Sequence, residues 1–117
     1  MRFLMTTLPS ESDTPPNPQM MAEMGQFIEE QTKAGVLIAT GGLLPISRGG
    51  ARVRSKGGKF TVVDGPFTEA KELIAGFALI EVKSREEALE ASRRFFKIVG
   101  DGEGQIHQVM GPDSDFG

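Results

Sequence analysis

Gly76-Phe77-Ala78-Leu79-Ile80-Glu81-Val82 is the stretch on which the fold turns. It reads as a strong strand, and successive strand residues point to opposite sides of a sheet. Phe77 and Leu79 then fall on one side, and Ala78, Ile80 and Val82 on the other. Both sides are apolar, so both call for cover. Just downstream, Ser84-Arg85-Glu86-Glu87 has capping-box spacing. The Ser84 hydroxyl takes the N3 amide while Glu87 reaches back toward the cap. The predicted helix continues with Ala88, Ala91, Phe95 and Ile98 on one face. Its acids lie at the start and Arg93, Arg94 and Lys97 near the end, which suits the helix dipole. Gly100 closes it, and residues 105–110 form the last strand.

Upstream, residues 2–8 read as a first strand ended by Pro9, and residues 10–16 as a polar, proline-bearing loop. Asn17 suits an N-cap and Pro18 the first helical position. Met20, Met24, Phe27 or Ile28, and Ala34 make a stripe at helical spacing, and Gly35 stops the helix. Residues 36–40 are a short strand followed by a glycine pair. Residues 51–55 and 60–63 then form a hairpin around Lys56-Gly57-Gly58-Lys59. With the hairpin set aside, the order is the βαββαβ pattern of a ferredoxin-like α+β sheet with both helices on one face. A chain of 117 residues forms one domain, 1–117, with no further helix for the bare side of residues 76–82. A second copy packing sheet against sheet, an isologous homodimer, is the economical cover. The alternative is a monomer with exposed apolar surface.

Composition excludes several classes of function. The chain has no Cys, hence no disulfide framework and no thiolate chemistry, which fits a reducing cytoplasm. Its net charge of −3 argues against the general basic field of a nucleic-acid binder. The apolar runs fall far below the roughly 18 residues of a membrane helix. The first residues meet Pro9 too soon for a signal peptide. One His without Cys is a poor basis for a zinc site, and no metal or other cofactor is expected. The glycines around residues 41–42 and 49–50 match neither the P-loop nor the dinucleotide fingerprint. No serine sits in a nucleophile elbow.

Further stretches add a likeness. They are Ala34-Gly35-Val36-Leu37, Gly41-Gly42-Leu43-Leu44-Pro45, Ala51-Arg52-Val53-Arg54, and Asp64-Gly65-Pro66-Phe67 with Glu69, Lys71 and Glu72. Together with residues 76–82 before a Ser-x-x-Glu-Ala helix, they resemble the YCII-related family in its DGPF-motif branch. The resemblance implies a dimeric α+β barrel with a pocket between sheet and helices. It implies little about activity. Related dimeric barrels include isomerases, dehydrochlorinases and cofactor-free oxygenases, while some members of the branch look associated with extracytoplasmic-function sigma factors. Family members outside the branch carry a histidine on the first helix, paired with an acid. Residues 18–34 hold no histidine here, so that pair is not carried over. The Arg-Pro step common in the last strand of the branch is replaced by His107-Gln108.

Asp64 leads the candidates for chemistry. At a strand end beside Gly65 and Pro66, its carboxylate either accepts a proton or orients a ligand, or else it bonds nearby amides and fixes the corner. Gly65 serves the turn, and Pro66 presets its own φ and restrains Gly65. Phe67 is a core plug or a stacking surface. His107 is the one residue of a type that changes charge between pH 5 and 8. It faces either the pocket, as acid or base, or the solvent. Arg52 and Arg54 share a strand face and bind an anion or line a solvated edge. Residues 69–73 read as one or two helical turns, and residues 112–117 as a loose tail. The expected function is a small-molecule-binding protein, or a cofactor-independent enzyme transferring protons on a small polar or aromatic acid near Asp64. The alternative is a regulatory module with a transcription-related partner.

Overall fold

The computed structural model describes residues 1–8, 17–63 and 74–111. These form β1 (Arg2–Thr7), α1 (Pro18–Lys33), β2 (Leu37–Gly42), β3 (Arg52–Lys56), β4 (Lys59–Val63), β5 (Gly76–Glu81), α2 (Arg85–Val99) and β6 (Gly104–Gln108). A four-stranded antiparallel sheet has the order β2-β5-β1-β6, and β3 and β4 pair as a separate hairpin. The ferredoxin-like α+β pattern with an inserted hairpin is therefore present. The apolar stretch lies in an inner strand, β5, between β2 and β1.

Register sorts the sheet's side chains. Phe3 stands opposite Ile80, and Met5 opposite Ala78 and Ile106. This side meets the helices: Phe3, Ile80 and Val82 are buried with Ala88 of α2, and Met5, Leu37, Ala91 and Ile106 pack around them. The other side carries Leu4 opposite Leu79 and His107, and Thr6 opposite Phe77 and Gln105. No described helix lies over it. Leu4, Phe77 and Leu79 are half-buried there.

Local chemistry sets the ends of the helices. The Asn17 side chain accepts from the Met20 amide at 2.7 Å, and Pro18 opens α1. At the far end, Gly35 adopts φ +76°, its amide donates to the Thr32 carbonyl, and the Val36 amide donates to the Gln31 carbonyl. That double return is the Schellman arrangement, which needs a left-handed residue. Ser84 accepts from the Glu87 amide at 3.2 Å. The Glu87 carboxylate takes the amide of Lys83, at 2.9 Å, one residue before the cap amide that the sequence suggested.

β2 runs on through the glycine pair, two residues beyond the expected strand. A Cβ at Gly41 would sit 3.1 Å from the Phe77 ring, so glycine lets β2 continue alongside β5 there. In the hairpin, Gly57 and Gly58 have φ of +59° and +79°, the type I′ turn that matches strand twist. Every residue of β3 and β4 is exposed. Val53, Val62 and Phe60 share one side, and Arg52, Arg54 and Lys56 the other. The Asp64-Gly65-Pro66-Phe67 corner, the helical turn expected over residues 69–73 and the tail 112–117 lie outside the described residues. Among the described residues, no helix is long and apolar enough to cross a membrane.

Candidate functional site

The helices do not seat flat on the sheet along its whole length. A cavity of about 840 Å³ lies between them, within the range of roughly 300–1,000 Å³ typical of small-molecule sites. Its roof comes from the two apolar stripes. Met20, Met24, Phe27 and Ile28 face it from α1, and Ala91, Phe95 and Val99 from α2. These spacings of three and four place each set on one side of its helix. The floor is the helix-facing side of the sheet, including Met5, Thr7, Ala78 and Ile80.

The two ends of the cavity differ. At one end, the Gln31 carbonyl holds the Val36 amide at the head of β2, and Leu37 lies opposite Ile80 in the core. At the other, the pairs Gly42–Gly76, Gly76–Thr7 and Thr7–Gly104 cross all four strands. Thr7 is the only side chain in that row. The end of α2 closes over β6 there: a Cβ at Gly102 or Gly104 would meet the Phe96 ring at 3.1 or 3.5 Å. Ala75 is tied into the same end, its amide donating to the Thr7 carbonyl at 2.7 Å and its carbonyl accepting from Leu43 at 2.8 Å.

Among the described residues, no charged side chain lines the cavity, and its polar side chains are Thr7, Gln31 and Thr40. The Thr40 hydroxyl donates to the Phe77 carbonyl at 2.9 Å. Among the described residues, the Thr7 hydroxyl and the Gln31 carboxamide have no hydrogen-bond partner, though both residues are half-buried. A clasp ties the helices together above: Arg94 donates to Glu30 at 3.1 Å, with its guanidinium 4.9 Å from the centre of the Phe27 ring.

The residues singled out from the sequence do not converge on this cavity. His107 is exposed on the opposite side of the sheet, its Nε2 3.0 Å from Gln105 Oε1. Arg52 and Arg54 stand on the charged side of the hairpin. Asp64, Gly65, Pro66 and Phe67 lie outside the described residues; the described chain resumes at Ile74, one residue before the cavity-lining Ala75. Thr7 and Gln31 carried a weak signal. Thr7 is the polar member of the alternation Phe3, Met5, Thr7, and Gln31 continues the stripe of Met20, Met24 and Phe27. Among the described residues, no three His, Cys, Asp or Glu side chains gather where a metal ion would sit.

Comparison with known proteins places this architecture. The model of the YCII-related domain matches residues 1–98, which include every described cavity-lining residue except Val99. An uncharacterized protein of Rhizobium meliloti (strain 1021) is 35% identical over 75 residues, 64% of this chain. The match spans 60% of that relative's length.

Proposed function

Because the chain belongs to the YCII-related family, whose domain here holds a partly open cavity, we propose that it is a small-molecule-binding protein. The observation that carries this reading is the shape of the helix–sheet interface: an apolar hollow of ligand size, with two polar side chains on its wall that have no partner among the described residues. Ordinary cores are packed without such voids. In sequence, the Asp64-Gly65-Pro66-Phe67 corner supports membership of the DGPF-motif branch. The absence of Cys fits a cytoplasmic protein. The proposed assembly is a homodimer, with the bare sheet sides bearing Leu4, Phe77 and Leu79 pressed together.

If the protein turns over its ligand, the proposed chemistry is proton transfer with Asp64 as base, without a cofactor. Chain continuity supports this choice, since the segment that begins at Asp64 leads to Ala75 at the glycine end of the cavity. Arg52 and Arg54 line no described part of the hollow, so no anion-anchoring role is given to them.

A thermal-shift screen against metabolites tests the reading, because a ligand at a hundred times its Kd stabilises the native state by about 2.7 kcal/mol. With the ligand so found, Asp64→Asn is expected to keep binding within about threefold and to lower turnover at least a hundredfold, the contribution of a positioned base. An Asn variant that turns over at the wild-type rate removes Asp64 from the chemistry. A second reading, an interaction module working with a transcription-related partner such as an extracytoplasmic-function sigma factor, draws on the exposed apolar side of the hairpin, Val53, Phe60 and Val62. Such patches mark interaction surfaces.

A further inference from the structure

We infer that the cavity takes a neutral, elongated, largely apolar molecule with hydrogen-bonding groups at its ends, one read by Thr7 and the other by Gln31. The inference rests on the small-molecule reading above and narrows it to a chemical class.

Charge is the first ground. A carboxylate or ammonium group moved from water into an apolar enclosure without a partner is penalised heavily. No charged side chain of the described wall is there to pair with one. The sequence had suggested an acidic ligand held by arginine, but Arg52 and Arg54 lie on the exposed hairpin.

Hydrogen bonding is the second ground. A threonine hydroxyl and a glutamine carboxamide each donate and accept, and both lack partners among the described residues. Such groups complement a hydroxyl, ketone or amide without any net charge. An apolar cavity with a few polar groups is also the usual make-up of a site that fixes a ligand's orientation.

Length is the third. From the Ile80 row to the Gly76 row is four residues along β5, about 13 Å at 3.3 Å per residue. Gln31 belongs to the first end and Thr7 to the second. The glycines beside Thr7 keep that end clear. A Cβ at Gly76 would come 3.2 Å from the Thr7 hydroxyl, whereas one at Gly42 would find only the Ala75 carbonyl, 4.0 Å away.

Decane-1,10-diol, decan-1-ol, decanoate and decylammonium share one chain and differ in their ends. Their binding to the full-length protein is measured by isothermal titration calorimetry at pH 7. The diol is expected to bind at least tenfold more tightly than decanoate, and decylammonium to match decanoate unless Asp64 pairs with it, which Asp64→Asn would reverse. Its advantage over decan-1-ol is expected to be about three- to tenfold, the worth of one neutral hydrogen bond. Thr7→Val and Gln31→Leu should each erase that advantage, and Gly42→Leu, which fills the floor beside Thr7, should weaken all four. Thermal melts report whether each variant folds; Thr7→Val and Gln31→Leu carry the test if Gly42→Leu does not. Decanoate binding as tightly as the diol, or decylammonium doing so in Asp64→Asn as well as in the wild type, overturns the ligand class and leaves the binding cavity in place. Heat from none of the four overturns the ligand class and the cavity reading together.

Discussion

At Gly35 a single atom decides where α1 ends. The Schellman bonds require φ +76°, where a Cβ meets the neighbouring carbonyl and costs about 1–2 kcal/mol. Ser84 does comparable work at the start of α2, and loss of an N-cap hydroxyl costs about 1 kcal/mol. Gly35→Ala and Ser84→Ala are therefore each expected to lower stability by about 1 kcal/mol in urea denaturation, with an unchanged m-value. These residues were legible in the sequence because a cap acts within four positions of itself. Glu87 was legible only to within one residue, since its carboxylate can reach either of two adjacent amides. Thr7 and Gln31 were not legible as a pair. Their meaning comes from a hollow whose walls are contributed by residues from Met5 to Val99.

Among the elements, the hairpin shows most clearly what local pattern leaves open. Gly57-Gly58 and the alternation of residues 51–55 specify two paired strands, and those strands form. The same alternation declares an apolar side, yet it does not say what meets it. In the structure Val53 and Phe60 are 58% and 66% exposed. A lone two-stranded hairpin is marginal in water, since it buries little of its own surface. β1 and β5 are different, for they form the middle of the sheet and hold Phe3 and Ile80 in the core. Amide hydrogen exchange on the isolated chain should accordingly show β3 and β4 exchanging at least a hundredfold faster than β1 and β5. Equal protection across both sets would mean that the hairpin is covered.

On the scale of the whole molecule, the βαββαβ order of elements was enough to anticipate a sheet with helices on one side only. Ile80 and Val82 are indeed buried beneath the helices, while Phe77 and Leu79 look the other way. Hydrophobic patterning is legible at this scale because it repeats along an entire strand. The location of the proposed ligand site is not, because the DGPF corner marks a place in the sequence without fixing its surroundings. The proposed homodimer makes Leu79 an interface residue. Leu79→Glu should convert the wild-type dimer to a monomer in sedimentation experiments, since an unpaired carboxylate at the centre of a packed interface is strongly disfavoured. A wild-type protein that sediments as a monomer at micromolar concentration ends the dimer proposal.

The hollow between helices and sheet also bears on how this protein responds to being squeezed. Folded states that keep empty space occupy more volume than their unfolded chains, and compression drives them toward whichever form takes up less room. Packing in this fold is tightest around Phe3, Ile80, Val82 and Ala88, so the response to pressure is set at the other end, by how far the partly open hollow toward Thr7 is filled. A guest that fills the space would stiffen the molecule from within, turning occupancy into a mechanical property of the fold.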